Sequence, residues 1–126
     1  MELDFTSERP IFQQIAEGIE DAILTGAFPE GSQIPSTTDF SVRYKINPAT
    51  ALKGITLLCE EGVVYKKRGV GMFVSDGAVA LLKDKRKSWF TQRLIRPMVQ
   101  EAARLGFSQE ELMNMVSKAF GKEERK

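Results

Sequence analysis

The spacing of apolar residues along this chain predicts three helices, then a strand pair, then two more helices. The first clear pattern is isoleucine at every fourth position: Ile11, Ile15, Ile19 and Ile23. Residues four apart lie on one face of a helix, so these side chains should form a single apolar face. Pro10 suits the first helical position and Gly26 suits a helix end. We therefore predict a core helix from about Pro10 to Thr25.

A second pattern predicts two short helices in close succession between Ser36 and Glu61. Ser36 can cap the first helix with its hydroxyl, and Asp39 lies in the first turn, where the helix dipole favours an anion. Asn47 can cap the second helix, and Pro48 fits the first helical position because its missing N–H is not needed there. Since few residues separate the two helices, they should meet at a tight turn.

These two helices offer different faces to a core. In the first, we expect Phe40 and either Val42 or Tyr44 to pack inward. In the second, the inward set is expected to be Ala51, Leu52, Ile55, Leu58 and Cys59. The other positions of the second helix, which should lie largely on other faces, are Ala49, Thr50, Lys53 and Thr56.

After Gly62 the pattern becomes that of a β-hairpin. Residues 63–66 and 72–75 read as strands, and the turn between them contains Gly69 and Gly71, which permit positive φ angles. Three adjacent cations lie at its tip: Lys66, Lys67 and Arg68. A Gly-x-Gly pair also occurs in phosphate-binding loops, but those loops precede a helix, whereas this one precedes a strand.

The last part of the chain returns to helical spacing. One helix is predicted from Ala78 to about Leu105, bent at Pro97 because an interior proline removes a backbone hydrogen bond. Another begins at Ser108, which forms a capping box with Glu111, and residues 122–126 are expected to fray. Apolar residues on the two helices include Leu81, Leu82, Trp89, Phe90, Leu94, Met98, Leu112, Met115, Val116 and Phe120.

These apolar residues exceed what one small domain can cover, because the longer helix would span some 40 Å at about 1.5 Å per residue. They can pack back on the first part of the chain or against a second copy of it, and composition alone favours neither arrangement.

Composition excludes several classes of protein. The chain of 126 residues has one cysteine and no histidine, so intrachain disulfides, Cys/His zinc sites and catalytic triads built on histidine are ruled out. We expect no catalysis, no metal and no cofactor. The chain also lacks an apolar run of the roughly 20 residues needed to span a membrane and the pattern of a signal peptide. A cytoplasmic location follows as an expectation.

Total charge gives no direct support for nucleic-acid binding, since the net charge is only +1. The distribution is more informative, because cations outnumber anions between Ser36 and Ser75, whereas Glu17, Glu20 and Asp21 crowd the first helix. We interpret the acidic helix as facing away from any phosphate backbone. A run of like charges such as Lys66 to Arg68 can also be simple solvated surface.

Five segments in this order resemble the GntR family of bacterial transcription regulators: Pro10 to Ile15, Ile34 to Ser36, Asn47 to Thr50, Glu60 to Val64, and Arg68 to Val74. The resemblance implies a winged helix-turn-helix whose third helix enters the major groove while the wing reaches the adjacent minor groove. Only about fifty residues follow the wing, which resembles the YtrA-type subfamily with its short pair of dimerising helices.

The resemblance therefore implies an α+β, mostly α fold in two parts: a DNA-binding domain at 1–76 and a helical dimerisation region at 77–126. It assigns duplex-DNA contacts to Ser36, Thr37, Thr38, Asn47, Ala49, Thr50, Lys53, Lys67, Arg68 and Gly69. The apolar residues of the last two helices become the dimer interface. A homodimer also suits the task, because two recognition helices related by a twofold axis read half-sites about 34 Å apart, or multiples of that.

Two positions depart from the family. Thr38 stands where arginine is usual, and Leu52 stands where some relatives have another arginine. Without these arginines, which bind guanine in a bidentate way, we expect base recognition to rest on Thr50, Lys53 and water. Asn47 is better explained as a helix cap than as a base reader.

The sequence thus predicts a homodimeric DNA-binding regulator that acts as a repressor. It predicts no enzymatic activity. The alternative is a winged domain that binds RNA or another protein through its third helix. Met98, Met113 and Met115 fit an adaptable pocket for an unidentified small-molecule effector, although methionine more often fills helix interfaces.

Overall fold

The computed structural model describes residues 1–124, and its elements follow the predicted order. The described residues form six α-helices: α1 (Ile11–Leu24), α2 (Thr37–Tyr44), α3 (Pro48–Glu60), α4 (Ala78–Phe90), α5 (Arg96–Arg104) and α6 (Gln109–Glu124). Two antiparallel strands, β1 (Val64–Lys67) and β2 (Gly71–Val74), form the hairpin, and a π-helical turn, Thr91–Ile95, lies between α4 and α5. The predicted α+β, mostly helical class is confirmed.

Contacts divide the chain into two compact units, Met1–Lys85 and a second that begins at Arg86. The border falls inside α4, whose first turns belong to the first unit. The predicted division after residue 76 lies earlier in the chain, before α4 begins.

Side-chain caps begin α2 and α3 as the sequence predicts. Ser36 Oγ accepts a hydrogen bond from the Asp39 N–H at 3.0 Å, and Asp39 Oδ2 accepts one from the Ser36 N–H at 2.9 Å. Asn47 Oδ1 accepts a hydrogen bond from the Ala49 N–H at 2.8 Å. The end of α2 was not predictable, because Lys45 takes a left-handed conformation (φ 54°) that non-glycine residues adopt uncommonly.

One apolar core joins α1, α2, α3, the hairpin and the start of α4. On α1, three of the four isoleucines are buried and Ile11 is half-buried, which confirms the core face of this helix. The largest fully buried side chains are Ile15, Ile19, Ile23, Ile55, Leu58, Val63, Val64, Val74 and Leu82. Every element of the first unit except the hairpin tip therefore contributes to one packed interior.

The structure decides one open point about this core and corrects one prediction. Tyr44 is half-buried and stacks on Phe40 with ring centroids 6.1 Å apart, whereas Val42 is 73% exposed. The prediction that Leu52 packs inward was wrong, because it is 53% exposed. The buried face of α3 is already complete without it, formed by Ala51, Gly54, Ile55 and Leu58.

The hairpin rests on the segment that precedes α2. Residues 31–34 run along the free edge of β2, and the Ile34 N–H donates a hydrogen bond to the Met72 carbonyl at 2.9 Å. Gln33 Nε2 donates another to the Val70 carbonyl at 2.9 Å, inside the turn of the hairpin. Strand β2 is thus held on both sides, by β1 and by this segment.

Helix α4 begins under a cap from a distant part of the chain. The Glu30 carboxylate accepts hydrogen bonds from the Gly77 N–H at 2.8 Å and the Val79 N–H at 3.0 Å. These two hydrogen bonds lower the pKa of Glu30. One turn later, Leu82 is fully buried in the core of the first unit. The interpretation of Leu82 as a dimer contact was therefore wrong, because its side chain is already covered by its own chain.

Lys85 joins three helices of the first unit. Its Nζ donates hydrogen bonds to Glu20 Oε2 on α1 at 2.8 Å and to Glu61 Oε2, after the end of α3, at 2.7 Å. Glu20 is only 3% exposed, so this residue of the acidic cluster is part of the interior and not of a solvated face. Burial by itself would lower the pKa of Lys85, but the two carboxylates outweigh burial and raise it.

The second unit differs from the predicted pair of helices in two respects. The long helix is interrupted by the π-helical turn, which ends two residues before Pro97. Proline cannot donate its backbone hydrogen bond, and a wider turn accommodates the carbonyl group left without that donor. Ser108 Oγ accepts a hydrogen bond from the Glu111 N–H at 3.1 Å, as the capping box predicts. Helix α6 continues through Lys122 to Glu124, whereas residues 125–126, also expected to fray, lie outside the described residues.

Candidate nucleic-acid interface

The candidate interface begins with the outer face of α3. Four residues of this helix point into the core, and the opposite side carries Ala49, Leu52, Lys53, Thr56 and Glu60, all exposed. Their spacing of three and four residues places them on one continuous stripe along the helix. Thr50, predicted to read bases, lies at the flank of this stripe and is half-buried.

Lys53 is held by an aromatic ring of α1. Its Nζ lies 4.1 Å from the centroid of the Phe12 ring, a cation–π arrangement. Ala49, Leu52 and Lys53 line the same open groove of about 350 Å³ as Phe12. The ammonium group thus lies over the Phe12 ring, beside the outer face of α3.

Leu52 is the residue that sequence reasoning misplaced at this site. Its side chain lies in the middle of the exposed stripe, between Ala49 and Thr56. The signal was present in the sequence, because Ala51, Ile55 and Leu58 already define an apolar face at helical spacing, and position 52 falls outside it.

At the start of α2, the polar side chains mainly cap the helix. Ser36 is exposed, but its hydroxyl and its N–H are both engaged in the capping box with Asp39. Thr37 is half-buried and Thr38 is exposed. The hydrogen bonds from Ser36 lower the pKa of Asp39, so the carboxylate at this helix start stays charged. The Asn47 side chain is likewise engaged as a cap.

The hairpin tip is exposed from Tyr65 to Val70 and contains the predicted wing residues Lys67, Arg68 and Gly69. Gly69 has φ 77°, as predicted for this turn, and the Val70 N–H donates to the Lys67 carbonyl at 2.9 Å. Lys67 Nζ lies 5.1 Å from the centroid of the Phe73 ring, whereas Arg68 is at the turn itself. Helix α3 contacts β1, so the stripe and the hairpin belong to one packed unit.

The second unit has almost no core of its own. Among its described residues, only Ala102 is buried. Of the predicted dimer residues, Leu112 and Val116 are half-buried and seven are exposed: Leu81, Trp89, Phe90, Leu94, Met98, Met115 and Phe120. Leu81 lies on the part of α4 that belongs to the first unit.

Other kinds of site receive no support from the described residues. Within residues 1–124, no group of three or more His, Cys, Asp or Glu side chains is placed to hold a metal ion. None of the helices described in this range is both long and apolar enough for a membrane span.

Comparison with known proteins agrees with this geometry. The family model of bacterial regulatory proteins of the gntR family matches residues 11–74, just over half of the chain. The HTH-type transcriptional repressor YtrA of Bacillus subtilis is 26% identical over 112 residues, which is 89% of this chain and 85% of that protein. The HTH-type transcriptional regulator YhcF of the same organism is 27% identical over 113 residues, 90% of this chain and 92% of that protein.

Solved structures show the same relationship. A protein ascribed to the GntR family in Bacteroides thetaiotaomicron is 32% identical, with a TM-score of 0.78 over 90% of this chain and 98% of that chain. A GntR family transcriptional regulator from Listeria monocytogenes, at 24% identity, shares the fold with a TM-score of 0.73 over 90% of this chain and 98% of that chain. The chain therefore belongs to the GntR family of bacterial transcriptional regulators, which are DNA-binding winged helix-turn-helix proteins and not enzymes.

Proposed function

We propose that this protein is a repressor that binds a twofold-symmetric operator as a homodimer. The observation that carries the proposal is the exposed stripe of α3, which takes no part in the core and lies in the same packed unit as a cationic hairpin tip. The major groove of B-DNA, about 12 Å wide, admits an α-helix. The narrow minor groove of A·T-rich DNA has a strongly negative potential that attracts arginine.

Each part of the first unit then has a role. The outer face of α3, with Ala49, Thr50 and Lys53, meets base edges in the major groove. Arg68, with Lys67 and Gly69, enters the adjacent minor groove. The capped helix starts at 36–38 and Asn47 bring backbone N–H groups and small polar side chains near phosphates, which positions the protein without reading sequence.

The second unit supplies the dimer in this proposal. Its apolar side chains are exposed in the single chain, and a second copy would remove them from water. The interface would consist of Leu81, Trp89, Phe90, Leu94, Met98, Leu112, Met115, Val116 and Phe120. Met98, Met113 and Met115 are also exposed, which suits an interface between copies better than an enclosed effector pocket.

The proposal of repression is supported by the similarity to YtrA, a transcriptional repressor that matches this chain over most of both proteins. The simplest mechanism is occlusion, in which the bound dimer blocks a promoter. This function places the protein in the cytoplasm, where bacterial DNA is found. We also assign the chain to the YtrA-type subfamily, since YtrA and YhcF match it over most of both proteins.

The proposal is tested by selecting bound duplexes from a random pool and then measuring affinity against salt. We expect a twofold-symmetric consensus and a steep fall in affinity with salt, because each neutralised phosphate releases counterions. RNA hairpins and single strands serve as competitors. Failure to select any duplex, or tighter binding to RNA, would contradict the proposal and favour the alternative of an RNA- or protein-binding winged domain.

The role of the hairpin tip is tested with Arg68→Ala. Removal of this cation should weaken binding to the selected duplex and reduce the slope of log affinity against log salt by about one. The matched control is Arg104→Ala, which removes an exposed arginine of the second unit that pairs with Glu101 at 3.6 Å. An unchanged affinity and salt slope for Arg68→Ala would exclude the wing from the interface.

A further inference from the structure

The outer face of α3 is unusual for a base-reading surface, because it offers few groups that can hydrogen-bond to base edges. Helix α3 contains no arginine, asparagine or glutamine between Pro48 and Glu60. These are the side chains that read guanine and adenine through paired hydrogen bonds. Lys53 is the sole cation of the helix, and its ammonium group is held over the Phe12 ring.

The middle of this face is mainly apolar. Leu52 is 53% exposed, the Ala49 methyl lies one turn before it, and the Thr56 side chain follows one turn after it. Residues at these spacings lie side by side along a helix. Together they form an apolar strip that the chain's own core does not cover.

The charged residues around this strip indicate the kind of surface that would cover it. Lys53 borders it, and Lys67 and Arg68 lie on the hairpin of the same packed unit. Glu60, one turn beyond Thr56, is an anion at the far end of the strip, so cations predominate around its middle. An apolar strip with cations beside it is complementary to a surface that is apolar in the middle and anionic at the edges. In the major groove of DNA, the thymine C5-methyl is the one apolar group on the base edges, and phosphates border the groove.

We propose that Leu52, with the methyl groups of Ala49 and Thr56, recognises thymine C5-methyl groups in the operator half-site. This inference rests on the proposed function and specifies it, because sequence preference would come from methyl contacts and not from an arginine–guanine fork. Lys53 supplies charge to the interface, and Leu52 determines which base pairs are accepted.

The test replaces thymine with uracil in the selected duplex, one position at a time. This change removes only the methyl group and keeps every hydrogen-bonding group of the base. For the wild-type protein we expect affinity to fall about fourfold at each contacted thymine, the equivalent of one buried carbon group. Thymines outside the half-sites should tolerate the replacement.

Two variants assign the effect to its residue. Leu52→Ala should lose the discrimination between thymine and uracil at the thymine that Leu52 contacts, whereas thymines contacted by Ala49 or Thr56 keep theirs. Because Leu52 is exposed, the fold should persist. Lys53→Ala, the matched control on the same face, should weaken binding to both duplexes equally and keep their ratio.

Equal binding of thymine and uracil duplexes by the wild type would overturn the inference and leave the proposed function intact. Discrimination that stays undiminished at every thymine in Leu52→Ala would overturn it as well, since the methyl contacts would lie elsewhere. Failure to select any duplex would instead remove the proposed function itself.

Discussion

Gly54 determines how closely two helices approach. A Cβ atom at this position would lie 2.7 Å from the Phe12 carbonyl oxygen and 3.2 Å from Ile15 Cβ. The first contact is to backbone, which cannot rotate away as a side chain can. The absence of a side chain at 54 therefore keeps α3 against α1, and with it the Phe12 ring beside Lys53.

Replacing Gly54 with alanine should destabilise the protein by about 1–3 kcal/mol, because the overpacked helices must separate. Helix propensity alone predicts the opposite, since alanine is favoured over glycine in a helix by about 1 kcal/mol. Urea denaturation measures the difference. Gly121→Ala in α6 is the matched control, because nothing lies within 4 Å of its added Cβ, and it should be neutral or stabilising. Equal stability of the two variants would contradict this account.

The sequence predicts single residues well where the interaction is local. Ser36 and Asn47 act as helix caps because the N–H groups they accept from lie two or three residues away. Gln33 carried no such signal, since its partner is 37 residues later in the chain. The apolar character of Leu52 favours an inward position, but its place in the helical repeat puts it outside the buried face of α3.

At the scale of elements, α4 depends on Glu30 for its start. The carboxylate accepts two backbone hydrogen bonds from the first residues of the helix, and these hydrogen bonds lower the pKa of Glu30. The sequence could not predict this cap, because Glu30 precedes Gly77 by 47 positions and Val79 by 49, and such distant residues come together only in the folded chain. The same limit applies to Lys85 and Glu20, whose pairing depends on how α1 and α4 pack.

The cap of α4 makes a prediction about acid stability. A lowered pKa in the folded state means that ionised Glu30 stabilises the fold above the ordinary glutamate pKa, and that this contribution is lost as pH falls through the lowered value. Glu30→Gln should therefore destabilise the protein at neutral pH and differ less from wild type in acid. Thermal unfolding from pH 7 down to pH 3 measures this difference. Glu8→Gln controls for the loss of a charge, and a gap for Glu30→Gln that is constant with pH would contradict the assignment.

At the scale of the whole molecule, the proposed dimer buries the exposed apolar side chains of the second unit against a second copy of the chain. Leu94→Glu places a charge among them and should shift the protein to a monomer in sedimentation experiments, because burying an unpaired charge is costly. Val42→Glu, at a 73% exposed valine of α2, is the matched control and should leave the assembly unchanged. A wild-type protein that stays monomeric at all concentrations tested would contradict the homodimer.

Much of the overall architecture could be predicted, because helix periodicity, caps and the hairpin glycines follow one another in a family-specific order. The border between compact units is harder to predict. The family resemblance implies a division after residue 76, whereas the first compact unit extends to Lys85, because Ala78 and Leu82 complete its core. An apolar residue at the start of a helix gives no indication of which neighbour covers it.

The shared helix α4 has a practical meaning for protein engineering. A fragment cut after Asp76 would keep the winged helix-turn-helix but lose Ala78 and Leu82, which would leave a cavity in its core. It would also lose Lys85, whose ammonium group pairs with the buried Glu20. A chimaera that exchanges C-terminal regions between relatives should therefore be joined after Lys85, so that the first unit keeps the part of α4 that completes its core.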